Sequence, residues 1–408
     1  MKVLFYNHTG MVSGAERVLL MILNGMDRHR YEPVVVCPAE SRMMELAQGA
    51  GVRTRGLQTL QARFTWRLDR VAQYFFSFSQ VIRNARAVVV DEAPGFIHAN
   101  SIRAGLVMSA ATAGLKVPVI WHAHDILPRH PLSTAVRAFA ALTSRNHILA
   151  VSQAVANRFR GLVLRPFTRR VPITVIHNSV DLDRFQPNAD SRHQTRRALN
   201  LKADELAVGI VGQLTPRKGQ LELMDAFVEV ADKMPNAILF IVGSALFNRD
   251  EEYAEHLVRR AGSLGIEKHV RFLGARDDVP DLIRAFDVMV INSHEEPFGL
   301  TVLEGLASGT ATIATAVGGT PEMINHGVNG LLTPKGNRKL LAFAVLSLLR
   351  DANLRAAFSA QGRKDALERF SIPRYLTELN SLYRAVSNSG EIPIQKSIGK
   401  LEVKLRAD

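Results

Sequence analysis

Short runs of Val, Ile and Leu alternate along this chain with longer segments whose apolar residues recur at helical spacing. Residues 2–6 (KVLFY), 33–37 (PVVVC), 95–98 (GFIH), 118–121 (PVIW), 147–151 (HILAV) and 173–176 (ITVI) read as buried strands. Helical spacing falls between them at 15–27, 41–50, 101–114 and 133–145. The alternation restarts at 206–212 (LAVGIVG) and runs on through 237–243, 270–274, 287–291 and 311–315. Alternating strand and helix predicts parallel sheets with right-handed crossovers. Two such series predict an α/β protein of two facing Rossmann-like domains. Pro187, Asn188 and the polar run ADSRHQTRR interrupt both series and mark the junction at 183–205. The expected division is 1–185, 186–370, a closing helix at 371–387 that packs back on the first domain, and a mobile tail at 388–408.

Composition adds little until the charge is divided. The 408 residues are 47% hydrophobic and 22% charged, an ordinary globular balance. Cys37 is the single cysteine, which excludes an intramolecular disulfide framework and a cysteine-cluster metal site and suits a reducing, cytoplasmic compartment. No leader with a long apolar core is expected at the N-terminus, and no run is apolar enough to span a bilayer. The net charge is +13. Residues 1–185 carry 23 Lys+Arg against 11 Asp+Glu, so nearly all of that excess lies in the first half. A one-sided charge of this kind suits a half that meets phosphates or an anionic membrane surface.

The candidate chemistry sits where strands end and helices begin. Ser13-Gly14-Ala15-Glu16 lies between the first strand and the first helix, a place for backbone N–H groups to approach a phosphate or for a plain turn. The spacing is not the G-x-G-x-x-G of a nicotinamide site. Trp121-His122-Ala123-His124-Asp125 ends a strand, and its spacing favours a polar contact to a substrate hydroxyl over a metal. Arg217 and Lys218 precede a helix at 219–232, a costly place for two cations unless an anion joins them. Glu296 and Glu304 flank Phe298-Gly299-Leu300-Thr301, with Glu304 set just inside a buried helix, where an unpaired carboxylate would be costly. Val317-Gly318-Gly319-Thr320-Pro321-Glu322 reads equally as a ligand-approaching loop or a tight turn. Asp181-Leu182-Asp183 reads as a turn and cap rather than a metal-binding D-x-D.

Taken in order, these motifs resemble the nucleotide-sugar glycosyltransferases with the GT-B fold, glycosyltransferase family four (group 1). The resemblance covers about residues 1–385 and rests on the Gly-rich loop, the strand-end His, V-I-H-N-S-V-D, G-Q-L-x-x-R-K-G, V-R-F-L-G, E-x7-E and V-G-G-T-P-E. It implies two facing domains with a deep cleft, a donor held mainly by the second and an acceptor entering from the first. Arg217 and Lys218 would then neutralise the diphosphate, helped by Gly14, Gly212 and the backbone N–H groups of Leu300 and Thr301. Glu304 would bind the ribose, while Leu273, Gly274 and Ala275 would flank the base. Glu296 and Phe298-Gly299 would hold sugar hydroxyls. His122 matches the strand-end His that contacts the sugar, with His124 behind it or in the reverse arrangement. Ser13 replaces a frequent glycine and Ala311 a frequent proline.

The implied reaction is retaining hexosyl transfer without a metal or other cofactor, from a donor whose base is expected to be uracil. The acceptor would be a glycan or lipid-linked molecule in cell-surface polysaccharide or glycolipid synthesis. Glu296 would position the sugar, with cations and backbone dipoles stabilising the departing phosphate. The competing readings are a nucleotide-sugar 2-epimerase of the same architecture and a non-catalytic, membrane-docked binding protein. Nucleic acid is not an expected partner. Arginines and aromatic residues over Arg53–Arg86 (Arg63, Arg67, Arg70, Trp66, Tyr74, Phe76) and over Arg158–Arg170 predict peripheral docking on the cytoplasmic membrane face.

Overall fold

The computed structural model describes residues 1–58, 68–142, 145–160, 171–245 and 248–388, without the side chains of 68–76 and 248–249. Seven parallel strands build the first sheet: β1 (Lys2–Tyr6), β2 (Glu32–Cys37), β3 (Arg53–Gly56), β4 (Phe96–Ala99), β5 (Val119–Ala123), β6 (Asn146–Ala150) and β7 (Ile173–Val175). Their order is β3-β2-β1-β4-β5-β6-β7. The second sheet holds β8 (Leu206–Val211), β9 (Ala237–Val242), β10 (Val270–Gly274), β11 (Val288–Ile291), β12 (Ala311–Thr315) and β13 (Leu331–Thr333), ordered β10-β9-β8-β11-β12-β13. Each order reverses beside the first strand of its sheet, and ligands of doubly wound folds gather at such a switch point.

The central strands β1, β5, β9 and β12 are almost wholly buried, as their unbroken apolar runs require. Two strands carry no such signal. β3 (RTRG) lies at a sheet edge with no buried residue, and β13 is a three-residue edge strand. The expected linker run ADSRHQTRR instead forms the helix Ala189–Ala198, which buries none of its residues. Arg192 and Arg196 anchor it through Asp287, at 2.6 and 3.1 Å, and through backbone carbonyls of residues 284–286. Ion pairs do there what an apolar stripe does elsewhere.

The last described helix, Ile372–Asn388, lies on the first domain. Tyr375, Leu379, Leu382 and Tyr383 join the core made by Val3, Phe5, Leu19 and Ile22. The helix Leu68–Glu92 packs Val81, Ala85 and Val89 into the neighbouring core, with Phe78 and Ile82 beside them. Among the expected docking residues, Arg63, Arg67, Trp66 and the side chains of Arg70, Tyr74 and Phe76 lie outside the described residues, as does the segment 161–170. Three other arginines of that stretch are held within the fold. Arg53 pairs with Glu92, Arg55 with Asp91, and Arg86 donates to the carbonyls of Ala111 and Ala113. Among the described residues, no helix is long and apolar enough to cross a membrane.

Candidate active site

The cleft is closed by two helix N-termini that meet across it. Helix Gly14–Gly25 begins at Ser13, whose backbone N–H and hydroxyl both donate to Glu16, at 2.9 and 2.6 Å. Helix Leu300–Ala307 begins at Gly299, which has φ +109°. A Cβ on Gly14 would lie 3.3 Å from Leu300 Cδ1, so the helix from the first domain points at the one from the second. The first N–H groups of each helix have no partner within the helix, and both dipoles present partial positive charge. An anion placed between them would receive donors from both domains.

Charged side chains surround this point. Pro216–Lys218 form a single 3-10 turn ahead of helix Gln220–Lys233. Gly219 permits the join at φ +69°, where a Cβ would fall 2.1 Å from the Asn292 carbonyl oxygen. Arg217 is exposed and donates to the Glu295 carbonyl at 3.2 Å. Lys218 Nζ lies 2.7 Å from Glu296 Oε2, which also accepts from Ser293 Oγ at 3.0 Å. Glu296 is 7% exposed, so its carboxylate is held in place rather than free to swing. Glu304 stands partly exposed on helix Leu300–Ala307. Desolvation pushes its carboxyl up, against the opposing charges of Arg17, Arg184 and Lys218. Arg17, on the helix that starts at Gly14, is a cleft cation that no motif announced.

Of the remaining expected donor residues, Gly212 and Gly274 both border Gly243, whereas Phe298 lies apart from them. Gly212 follows β8, and its N–H donates to the Val242 carbonyl. Leu273, Gly274 and Ala275 end β10, and the Gly274 carbonyl accepts from Gly243 N–H at 2.8 Å. Phe298 turns inward, stacking on His177 at 5.8 Å and meeting Phe370, so its aromatic ring belongs to the domain junction. Asp181 accepts from the N–H groups of Asp183 and Arg184, the turn expected of D-L-D. Ala311 opens β12 as a buried residue.

On the first domain, the two histidines of W-H-A-H-D separate. His122 is wholly buried within β5, with its Nδ1 3.0 Å from His98 Nε2. His98 Nδ1 in turn lies 2.7 Å from the Tyr383 hydroxyl, and His122 Nε2 is buried without a partner. The ring expected to touch the sugar therefore has no open face. His124, one residue beyond the strand, is partly exposed; its ring centroid lies 3.9 Å from that of His122 with the planes tilted by 41°, and its Nε2 is 3.2 Å from Asn100 Oδ1. Desolvation pushes His98 and His124 down to about 3 and His122 well below the ordinary imidazole range. The whole array is neutral at physiological pH.

Glu322, at the end of V-G-G-T-P-E, joins the domains. It accepts from the N–H groups of Gln153 and Ala154, at 2.8 and 2.9 Å, and from His177 Nε2 at 2.8 Å. Ser152 Oγ adds a bond to the Pro297 carbonyl at 2.6 Å. Gly318 lets this loop lie against Glu296, because a Cβ there would be 1.8 Å from the Glu296 carbonyl oxygen. The sequence had left this loop as an approach to ligand or a turn. It carries an interdomain bolt.

Two doubly wound domains with helix N-termini from both sides, paired cations and two glutamates at the cleft define the GT-B class of sugar transferases. Comparison with known proteins agrees. The model for "Glycosyltransferase Family 4" matches residues 12–184 and that for "Glycosyl transferases group 1" matches residues 191–365. The chain belongs to this glycosyltransferase family. It is 28% identical to Anabaena Alr3699/HepE, solved with UDP and glucose, with a TM-score of 0.78 over 94% of this chain and 100% of that one. The D-inositol 3-phosphate glycosyltransferase of Corynebacterium jeikeium (strain K411) is 33% identical over 53% of either chain. Thus the chain spans about half the length of the curated relatives it matches first. Sucrose-phosphate synthase from Thermosynechococcus elongatus shares the fold, at 20% identity and a TM-score of 0.76 over 94% of this chain and 98% of that one.

Proposed function

We propose that this enzyme transfers a hexose from a UDP-sugar to a glycan or lipid-linked acceptor with retention of anomeric configuration. The observation that carries the reading is the meeting of the Gly14 and Leu300 helix N-termini beside Arg217 and Lys218. A diphosphate placed there takes up helix-dipole potential from both domains and charge-assisted bonds from the second. Lys218 has three N–H donors and gives one to Glu296, so two remain for phosphate. That Alr3699/HepE was solved with UDP-glucose supports uracil as the base.

Glu304 takes the ribose hydroxyls in this reading, and Leu273–Ala275 flank the base. Retention through a covalent intermediate needs a free carboxylate at the anomeric carbon. Glu296 is tied to Lys218 and Ser293, which supports a positioning role and a same-face displacement. The fixed cations stabilise the departing diphosphate, so no divalent metal is needed. Among the described residues His124, not His122, has the open ring, and we assign it the sugar contact, with His98 and His122 setting its orientation. The anionic membrane surface stays part of this proposal through the arginines outside the described residues.

The test is a donor screen read by mass detection of released nucleotide diphosphate, with excess chelator in one arm and NMR of the product anomer. Release from a UDP-sugar that survives chelator, with retained configuration, supports the reading. An inverted product, or activity restored only by manganese or magnesium, overturns the corresponding part. Epimerised donor without acceptor points to the 2-epimerase alternative.

A further inference from the structure

Beyond the cleft, the first domain carries a second cationic concavity of about 380 Å³, lined by Arg129, His130, Thr134, Arg137 and Arg158 between two prolines. Among the described residues no acidic side chain lines it. Several arginines elsewhere in the described structure are matched to carboxylates: Arg53 and Arg55 to Glu92 and Asp91, Arg192 and Arg196 to Asp287, Arg260 to Asp225. Among the described residues, Arg129, Arg137 and Arg158 have no such partner.

The wall is nevertheless built. Arg158 Nε donates to the Leu127 carbonyl at 2.9 Å. Arg137 Nη1 donates to the Arg158 carbonyl at 3.1 Å, and Nη2 to Thr134 Oγ1 at 2.8 Å, while its Nε is buried without a partner. Two guanidinium groups are thus fixed with their charge uncompensated, and Arg129 adds a third. Helix Pro131–Ala141 starts in the same wall. Its dipole adds positive potential there, so three cations repel one another and the helix end unless an anion sits among them. The pocket is also well placed, because the chain reaches it directly from His124 and Asp125 through the buried Leu127. Its lining comes from the segment that follows β5 and from Arg158 in the last turn of helix Gln153–Phe159, which follows β6.

We infer that this pocket binds a phosphate or diphosphate ester group of the acceptor. Planar guanidinium forks match phosphate oxygens in pairs, and two fixed cations with a third beside them suit a dianion better than a single carboxylate. The volume leaves room for part of the group the phosphate is attached to. This inference rests on the transferase reading and gives its acceptor a chemical class.

The experiment titrates inorganic pyrophosphate into the full chain by calorimetry, with UDP saturating so that the donor cleft is filled. The expected result is one pyrophosphate per chain, weakened at least about tenfold in Arg129→Gln and further in Arg129→Glu, the size of one lost charge-assisted bond. Arg129 is exposed and makes no recorded bond, so these variants fold; Arg137→Gln is read only where UDP affinity shows it has folded. Unchanged pyrophosphate affinity in the Arg129 variants, or none in the wild type while UDP binds, overturns the pocket. Failure of UDP itself to bind counts against the donor reading instead. A second arm uses vesicles of phosphatidylcholine with and without phosphatidic acid. Binding to the anionic vesicles that Arg129→Glu abolishes places the phosphate on a lipid, and pyrophosphate binding without vesicle binding places it on a soluble acceptor.

Discussion

The two walls of the cleft recognise by different physics. The second domain presents fixed charge: Arg217, the Lys218–Glu296 pair and Glu304 on a buried helix. The first presents one neutral ring, His124, backed by the sealed rings of His122 and His98, all three held below the ordinary imidazole range by burial. The helix beginning at Gly14 brings electrostatic potential to that side of the cleft as well, through its N-terminus and through Arg17, whose charge acts on Glu304. Fixed charge suits a diphosphate, whose negative charge grows as its bond to the sugar breaks. Neutral imidazoles suit a sugar, whose hydroxyls need hydrogen bonds that do not depend on pH.

The largest expected effect lies on the charged wall. Replacing both Arg217 and Lys218 by Ala abolishes transfer and weakens UDP binding by about 1.5–3 kcal/mol per lost contact, while uridine binds as before. Calorimetric titration of both ligands checks this, and equal losses for UDP and uridine would remove the distinction between the walls. On the same wall, Glu304→Ala raises the donor KM by about tenfold with little change in kcat, because ribose contacts are the same in ground and transition states. Steady-state kinetics against donor concentration reads that split.

On the neutral wall, His124→Ala lowers kcat more than it raises KM. His122→Ala mainly lowers the melting temperature, since it opens a cavity and leaves His98 Nε2 unpaired, at a cost of about 1–3 kcal/mol. Reversal of those two outcomes would restore His122 to the sugar.

A smaller effect follows from protonation. His8 and His147 are pushed down to about 4, and His98 and His124 to about 3, by desolvation first. Their unfolded values are near 6.5. Between those limits the unfolded chain binds more protons than the folded one, so this stability is fully present above about pH 6.5 and is lost as pH falls through the window. Melting temperatures from pH 7 to 4.5 should fall, with a shallower slope in His98→Asn. A flat profile would show that these rings titrate normally and that the neutral wall does not exist.

Much of the fold was legible because parallel strands buried on both faces must be apolar runs, as at 2–6, 237–242 and 311–315. β3 and β13 escaped because edge strands need no such run: RTRG is held by backbone pairing to β2 and by ion pairs of Arg53 and Arg55 with Glu92 and Asp91. The helix Ala189–Ala198 escaped because its buried contacts are guanidinium groups, which a hydrophobic pattern does not register. At the site, spacing located the charged wall, since a cation pair before a helix and a Glu inside one are visible along the chain. The histidines were not resolved that way. His122 and His124 have the same strand parity, and only the end of β5 at Ala123 decides which ring is sealed. Glu322 was invisible as a bolt because its partners, Gln153 and Ala154, are backbone N–H groups far away in sequence.

The central claim is that a diphosphate sits where the two helices meet. The most direct measurement is a crystal structure of the protein grown with UDP. Phosphate oxygens are expected within about 3 Å of the Leu300 and Thr301 N–H groups and of Arg217 or Lys218, with the Gly14 loop alongside and the ribose on Glu304. Diphosphate bound away from both helix N-termini, with Arg217 and Lys218 untouched, would contradict it.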